Sequence, residues 1–318
     1  MGARLRDLLR PLAYGGVRTL RRFRAEESLV LVSDPRGGST WLAELLEESA
    51  GAAVVWEPLT IGRVPEVRDL GFTRRQYIPE DASWPEAERV MDRILTGRLL
   101  SPFICSHSGI GSFATARRLL VKFCRAQALL PWLTLRYAFR RRPVHMIRHP
   151  FAVAASQKAH GGWSWPGLRY AVVDGRFGEI YEEHRTYLDG LESFEESLVA
   201  IWCMGNLVPL RHPRRGRDWV TVTYEELLME PERVLSRLFR ELGLDLPARA
   251  VEEAAEPSRT TKDPSFLRSR SAQLEKWREA FSSDELRRMQ TVLAHFGVTE
   301  YSGDDLMPRP ADHLASRP

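Results

Sequence analysis

The feature that most constrains this chain is an apolar run that breaks into a glycine turn and resumes with helical spacing, at residues 29–42. Leu29 to Val32 are four consecutive apolar residues, the pattern of a strand buried on both faces of a parallel sheet. Gly37 and Gly38 permit positive φ and close backbone approach, so that successive N–H groups can converge on an anion. Helical spacing begins at Ser39. The stretch therefore predicts an anion-binding turn at a helix N-terminus.

Four further short apolar runs each lead into polar or charged side chains: 52–55 into Trp56 and Glu57, 119–121 into Lys122, 144–147 into Arg148, and 219–223 into Tyr224. Segments with helical spacing separate these runs. The alternation predicts a doubly wound α/β domain with a parallel sheet of about five strands. Ligands of such sheets bind beyond the carboxyl ends of the strands, so all five runs point to one site.

The organisation around this domain follows from length and local composition. We predict a basic N-terminal arm or helix at 1–26, one domain at 27–301 and a flexible tail at 302–318. The excursions at 60–118 and 159–218 are longer than simple connections need and are predicted to form lids or acceptor pockets.

Charge and cysteine content restrict the classes of partner and compartment. The net charge of +4 provides no global field for coating a nucleic acid. Three scattered cysteines provide neither a disulfide framework nor a zinc site, and a reducing, cytoplasmic setting is expected. Residues 1–24 combine seven arginines with a leucine stripe, which suits peripheral contact with the inner membrane face or a helix docked on the domain.

A phosphate-binding turn is compatible with nucleotide kinases as well. The triphosphate loop of kinases requires G-x-x-x-x-G-K-[ST], in which the lysine reaches the outer phosphates. Here Gly37 and Gly38 precede Ser39 and Thr40 with no lysine, and the nearby cation is Arg36. A mononucleotide with fewer phosphates therefore fits better than ATP.

Two motifs together resemble the sulfotransferases that use 3′-phosphoadenosine-5′-phosphosulfate (PAPS). The turn Pro35-Arg36-Gly37-Gly38-Ser39-Thr40-Trp41-Leu42 is similar to the loop that binds the 5′-phosphosulfate in this family, with Arg36 where many members have lysine. Arg148 at a strand end and Ser156 eight residues later are similar to its 3′-phosphate motif. The resemblance implies a P-loop-like three-layer α/β/α domain, the bacterial or carbohydrate-type branch of the family, and PAPS as co-substrate without a metal.

The same resemblance implies further contacts with the nucleotide. Trp41 is expected near adenine and Tyr224 at its edge. Arg268 and Arg270 lie in the region where the family places a second basic contact with the 3′-phosphate, and Ser258 is a weaker candidate. Two phosphate sites at adjacent strand ends also suit a ribose with phosphate at both ends.

Catalysis requires cations for the leaving phosphate and a base for the acceptor. Arg36 and Lys122 are the candidate cations. Cytosolic members show Lys-x-His after the third strand, whereas this chain has Lys122-Phe123-Cys124, so the histidine base is missing there. The Glu57-Pro58 pair matches the glutamate of carbohydrate-type and bacterial relatives, and we expect the neighbouring Trp56 to raise the pKa of Glu57. His107 and His160 remain alternative bases.

The sequence therefore predicts a sulfotransferase acting on a hydroxyl, or less readily an amine, of a small-molecule, carbohydrate or glycolipid acceptor, with no nucleic-acid partner. Two alternatives remain open: a P-loop nucleotide kinase, and a non-catalytic protein that binds a nucleotide or glycan. Neither the acceptor nor the oligomeric state can be read from the sequence.

Overall fold

The structure, a computed structural model, describes residues 14–17, 19, 21–161, 175–253 and 270–309, except for the side chain at 253. Its centre is a five-stranded parallel sheet with strand order β2-β3-β1-β4-β5. The strands are β1 Leu29–Ser33, β2 Ala52–Trp56, β3 Arg118–Phe123, β4 Val144–Ile147 and β5 Val220–Thr223. The predicted α/β class and the parallel sheet of five strands are confirmed.

Helices connect the strands and cover both faces of the sheet. The α-helices are α1 Ser39–Ala50, α2 Pro65–Asp69, α3 Pro85–Leu95, α4 Ile110–Thr115, α5 Leu130–Arg136, α6 Pro150–His160, α7 Arg185–Asp189, α8 Phe194–Arg211, α9 Tyr224–Met229, α10 Pro231–Leu242, α11 Ala250–Glu253, α12 Arg270–Glu275 and α13 Ser283–His295. Short 3-10 helices lie at Ala25–Glu27, Gln127–Leu129, Gly178–His184 and Lys276–Ala280.

Alternation along the strands divides the core between the two faces. Leu29 and Leu31 pack with α1 and α10, whereas Val30 and Val32 pack with α3 and α5. This is the period of two expected of a strand, and both faces are apolar because helices cover both. Lys122 follows Leu120 on the α1 face and is paired in register with Trp56 of β2.

The predicted end of the third strand needs correction. Lys122 lies inside β3, which continues to Phe123, because β3 pairs in parallel with strands on both sides. Helix α3 begins at Pro85, and the residue before it is Trp84, whose side chain does not cap the helix. Proline in the first turn supplies the start signal there.

The chain remains packed beyond residue 301. Ser302 is buried, and its carbonyl oxygen lies 3.0 Å from His149 Nε2. Leu306 and Met307 lie against the core. Residues 310–318 of the predicted tail and 1–13 of the predicted arm lie outside the described residues. Of the arm, Val17 is buried and Phe23 lies against the core.

Candidate active site

All five strands direct candidate residues to the same edge of the sheet. The turn 34–38 follows β1, Glu57 follows β2, Lys122 lies one residue before the end of β3, Arg148 follows β4 and Tyr224 follows β5. The strands are parallel, so their carboxyl ends meet at one edge, as predicted for an open α/β sheet.

The glycine turn has the backbone geometry of an anion cradle. Gly38, with φ of +90°, is the N-cap of α1, whose first-turn N–H groups face outward from the helix end. A Cβ on Gly38 would lie 2.5 Å from the Tyr224 ring, and one on Gly37 would lie 2.3 Å from Ser33 Oγ. Only glycine fits at either position without displacing neighbours.

Backbone strain is concentrated at two of the candidate catalytic residues. Positive φ occurs at three described residues other than glycine, namely Arg36 at +70°, Glu57 at +41° and Phe177 at +66°. Such conformations cost free energy and persist where the surrounding structure enforces them, often at functional sites.

Two arginines flank the turn without acidic partners. Arg36 Nε donates to Ser156 Oγ at 3.0 Å, and Arg148 Nη1 donates to the Arg36 carbonyl oxygen at 3.2 Å. Neither guanidinium forms an ion pair within the described ranges, and the buried Nε of Arg148 has no hydrogen-bond partner there. Partial burial and the proximity of Arg148 lower the pKa of Arg36. Two unneutralised cations side by side are an arrangement that suits a multiply charged anion.

The aromatic candidates lie beside Arg148 and the glycine turn. Tyr224 is buried, with its ring 4.2 Å from the Arg148 guanidinium carbon, and Trp41 meets the same ring edge-on at 5.8 Å. Trp41 is itself 5% exposed. Both rings thus support the arginine and the glycine turn; their contact with adenine stays a prediction.

The second basic contact is only partly described. Arg270 is exposed at the first residue of α12, which packs against α9 through buried Leu274. Arg268 and Ser258 lie outside the described residues. The roles of these three residues stay predictions.

The candidate catalytic group is a compact cluster of three side chains. Lys122 Nζ lies 2.9 Å from Glu57 Oε1 and 3.2 Å from Cys124 Sγ, and Cys124 Sγ lies 3.1 Å from the same Glu57 oxygen. The ammonium also lies 3.9 Å from the centroid of the Trp56 ring. Lys122 is 1% exposed, whereas the Glu57 side chain retains 22% exposure toward the site.

The expected direction of the Glu57 pKa shift is wrong. Burial by itself raises this pKa, but the charge and hydrogen bond of Lys122, the Cys124 hydrogen bond and the charge of Arg125 outweigh it, so the pKa is lowered. Burial also opposes the charge of Lys122, yet Cys124 and Glu57 raise its pKa overall. At neutral pH the pair is therefore ionised, and Trp56 lies against the lysine rather than setting the carboxylate pKa.

The two histidine alternatives differ in their surroundings. His107 is stacked on Trp56, with ring centroids 4.8 Å apart, and its Nε2 lies 3.2 Å from Glu47. His160 is the last residue of α6, and its side chain is exposed. Neither is joined by a described hydrogen bond to the cluster of Lys122, Glu57 and Cys124.

A second buried network lies behind the turn. Asp34 Oδ1 pairs with Arg75 at 2.7 Å, and Asp34 Oδ2 accepts from Asn206 Nδ2 at 2.7 Å. Arg75 Nη1 also donates to the Cys124 carbonyl oxygen at 3.1 Å. Burial raises the pKa of Asp34, and its partners offset this only in part. Through these contacts Arg75, in the excursion at 60–118, is joined to the residues that follow β1 and β3.

Sequence reasoning missed this network and the role of Gln157, whose Nε2 donates to the Pro35 carbonyl oxygen at 2.9 Å. Cys124 was detectable, because residues two apart on a strand share a face and Lys122 was already a candidate. Arg75 carried no such signal, since it lies in an excursion with no recognisable spacing.

No cluster of three or more His, Cys, Asp or Glu side chains is arranged to hold a metal ion in the ranges that the structure describes. Within the same ranges, no helix has the length and apolar character needed to cross a membrane.

Comparison with known proteins gives structural matches alone, since no family model and no curated protein matches the chain. The chain is similar to a sulfotransferase domain from the Synechococcus PCC 7002 olefin synthase, with 19% identity, coverage of 85% of this chain and 95% of that chain, and a TM-score of 0.41. A second match is mouse sulfotransferase SULT7A1 complexed with PAP, with 14% identity, coverage of 92% of both chains and a TM-score of 0.46. A third is the sulfotransferase domain from the curacin biosynthetic pathway, with 17% identity, coverage of 85% and 98%, and a TM-score of 0.43.

All three structures are sulfotransferases, the family that the two sequence motifs resemble. At these identities and TM-scores the three likenesses carry no conclusion about this chain. The roles of individual residues must therefore be argued from this chain's own side chains.

Proposed function

We propose that this chain is a PAPS-dependent sulfotransferase that transfers the sulfuryl group of PAPS to a hydroxyl, or less readily an amine, of its acceptor. One observation carries the proposal: Arg36 and Arg148 flank the glycine turn without acidic partners, next to the ionised Lys122–Glu57 pair. The two cations suit a donor with phosphate at both ends of its ribose, and the pair beside them suits transfer to an acceptor.

The residues present fit such a donor. The glycine turn and the first turn of α1, with Ser39 and Thr40, would hold the 5′-phosphosulfate. The Arg148 guanidinium and the Ser156 hydroxyl would hold the 3′-phosphate. Arg36 now donates to Ser156, so we expect this side chain to turn toward the 5′ end when the donor binds.

The reaction follows from these placements. Glu57 accepts the proton of the acceptor hydroxyl as its oxygen bonds to sulfur. The bond from sulfur to the bridging phosphate oxygen breaks, and adenosine 3′,5′-bisphosphate leaves. Arg36, Lys122 and the loop N–H groups stabilise the negative charge on the leaving phosphate. Sharing of the Lys122 ammonium with this phosphate would weaken its hold on Glu57 and make the carboxylate more basic.

The proposed acceptor class is supported by two features of the sequence. The Glu57-Pro58 pair resembles carbohydrate-type and bacterial relatives, which favours a carbohydrate or glycolipid acceptor among small molecules. The basic arm at 1–24 suits a lipid-borne acceptor reached from the cytoplasmic side of a membrane. Both points are part of the proposal.

The test of the function is transfer of labelled sulfate from PAPS into an extract of the source organism, followed by mass identification of the product. We expect one labelled product class. Adenosine 3′,5′-bisphosphate should also raise the melting temperature, whereas ATP with magnesium should not. Equal stabilisation by both nucleotides would support a kinase, and stabilisation without transfer to any acceptor would support a non-catalytic binding protein.

Arg148→Ala should weaken adenosine 3′,5′-bisphosphate binding by about 10- to 100-fold, because each charge-assisted hydrogen bond contributes roughly 1.5–3 kcal/mol. Isothermal titration calorimetry measures the change. Arg217→Ala is the matched control, since Arg217 is exposed and pairs only with Asp218 among the described residues. Unchanged affinity in Arg148→Ala, with a normal melting temperature, would remove Arg148 from the binding site.

A further inference from the structure

Cys124 is buried at the centre of the candidate catalytic cluster. It directly follows β3 and is 3% exposed. Its sulfur lies 3.1 Å from Glu57 Oε1, 3.2 Å from Lys122 Nζ and 3.9 Å from Ser39 Oγ. One side chain thus contacts the candidate base, the candidate cation and the first helical residue after the glycine turn.

Protonation states make the three contacts mutually consistent. Burial raises the pKa of the Cys124 thiol to about 11, with Lys122 opposing the shift, so the thiol keeps its proton at neutral pH. The S–H group donates to the Glu57 carboxylate, while the Lys122 ammonium donates both to that carboxylate and to the sulfur. A buried, protonated thiol of this kind is a poor nucleophile and is not itself the reacting group.

The described hydrogen bonds to the Glu57 carboxylate involve one of its two oxygens. Both Lys122 and Cys124 donate to Oε1, and no described residue donates to Oε2. Glu57 has positive φ and follows the last residue of β2, with its N–H donating to the Lys122 carbonyl oxygen at 2.9 Å. Backbone and side chain are therefore both fixed by the end of β3, while the Glu57 side chain keeps 22% of its surface exposed.

We propose that Cys124 is a positioning residue for Glu57: its thiol anchors Oε1, so that Oε2 faces the acceptor hydroxyl in a fixed orientation. This inference rests on the proposed function. Glu57, the candidate base, follows β2, and Cys124 contacts it from the end of the neighbouring strand β3.

The proposal predicts a specific change in Glu57. The described groups whose charges or hydrogen bonds shift its pKa are Lys122, Cys124 and Arg125. The thiol hydrogen bond stabilises the ionised carboxylate, so its loss in Cys124→Ala should move the Glu57 pKa upward. Cys124→Ser keeps a donor at this position and should largely restore it. We expect kcat in Cys124→Ala to fall about tenfold, with an unchanged KM for PAPS. The substitution disturbs the orientation of the base, whereas the residues that would bind PAPS stay in place.

The experiment follows the Glu57 carboxyl carbon by NMR titration of protein carrying isotope-labelled glutamate, assigned with Glu57→Gln. Cys203→Ala is the matched control, because it removes another buried thiol from α8 without contacting Glu57. A higher Glu57 pKa in Cys124→Ala alone, with an acid limb of kcat/KM shifted to higher pH, supports the proposal. An unchanged pKa, or the same change in Cys203→Ala, overturns it.

The titration does not depend on turnover, which separates the two levels of inference. If the Glu57 pKa is unchanged in Cys124→Ala while the wild-type protein transfers sulfate, only the positioning role fails. If the wild-type protein transfers no sulfate, the proposed function fails, and the catalytic role of the thiol contact fails with it.

Discussion

Replacing Glu57 by glutamine should lower kcat by about 10²- to 10⁴-fold, the contribution of a positioned general base. The amide cannot accept the acceptor proton, but its oxygen can still accept the hydrogen bonds that Lys122 and Cys124 now give to Oε1. Steady-state kinetics with PAPS and the product-forming acceptor measures the loss. Retention of full turnover would eliminate Glu57 as the base and return attention to His107 and His160.

Binding controls separate loss of chemistry from loss of structure. Glu57→Gln should bind adenosine 3′,5′-bisphosphate as the wild-type protein does, because the anion site is formed by the glycine turn, Arg36 and Arg148. An equal loss of nucleotide affinity would mean that the substitution damages the whole site. The melting temperature of the free protein provides the second control.

The pH dependence follows from the sign of the Glu57 shift. A general base acts in its ionised form, and the lowered pKa keeps Glu57 ionised to lower pH than an ordinary glutamate. The acid limb of kcat/KM, which reports the free enzyme, should therefore lie below the ordinary value of 4.5. In Glu57→Gln this limb should disappear. An acid limb near neutral pH that persists in the variant would indicate a histidine base.

Arg75→Met should lower the free energy of unfolding by about 3–5 kcal/mol, because it leaves the buried Asp34 carboxylate without its ion-pair partner. Side-chain exposure is 6% for Arg75 and 2% for Asp34, and Asn206 alone cannot balance the charge. Urea denaturation measures the effect. The double variant Arg75→Met/Asp34→Asn removes both charges and should regain much of the loss.

The destabilisation should grow with pH. Burial already raises the pKa of Asp34, and loss of Arg75 raises it further. A carboxyl group with a raised folded-state pKa stabilises the fold when protonated and ceases to do so as pH rises through that pKa. Arg75→Met should therefore lose less stability at about pH 5 than at about pH 8.

Arg89→Met is the control for Arg75→Met. It removes an ion pair of the same kind, between Arg89 and Glu86, that is exposed, and it should leave the free energy of unfolding nearly unchanged. A loss in Arg75→Met that is no larger than in this control would show that the buried pair does not hold the turn.

The sequence predicted the five strands and their common direction correctly. Four consecutive apolar residues before a glycine turn predict a strand buried on both faces, and the same signal recurred at 52–55. Gly37, Gly38, Arg36 and Arg148 were identifiable because phosphate binding demands backbone freedom and fixed positive charge at strand ends.

Side-chain partners were not identifiable, because they depend on which strands are neighbours. The order β2-β3-β1-β4-β5 places the end of β2 beside that of β3, so Glu57 meets Lys122 and Cys124. Strand order follows from the packing of the whole chain and leaves no local trace in sequence spacing. The expected pKa of Glu57 was wrong for this reason: Trp56, its neighbour in sequence, matters less than Lys122, its neighbour across the sheet.

The sequence by itself thus determined a glycine turn with Arg36 beside it and Arg148 at a second strand end, since glycine conformation and charge are local properties of residues. Only the tertiary structure decided that the carboxylate is ionised and anchored by a thiol, and that Arg75 neutralises the aspartate behind the turn. Those features arise from burial and from contacts between residues far apart in the chain. In the low-dielectric interior, the interaction between neighbouring charges is stronger than in water.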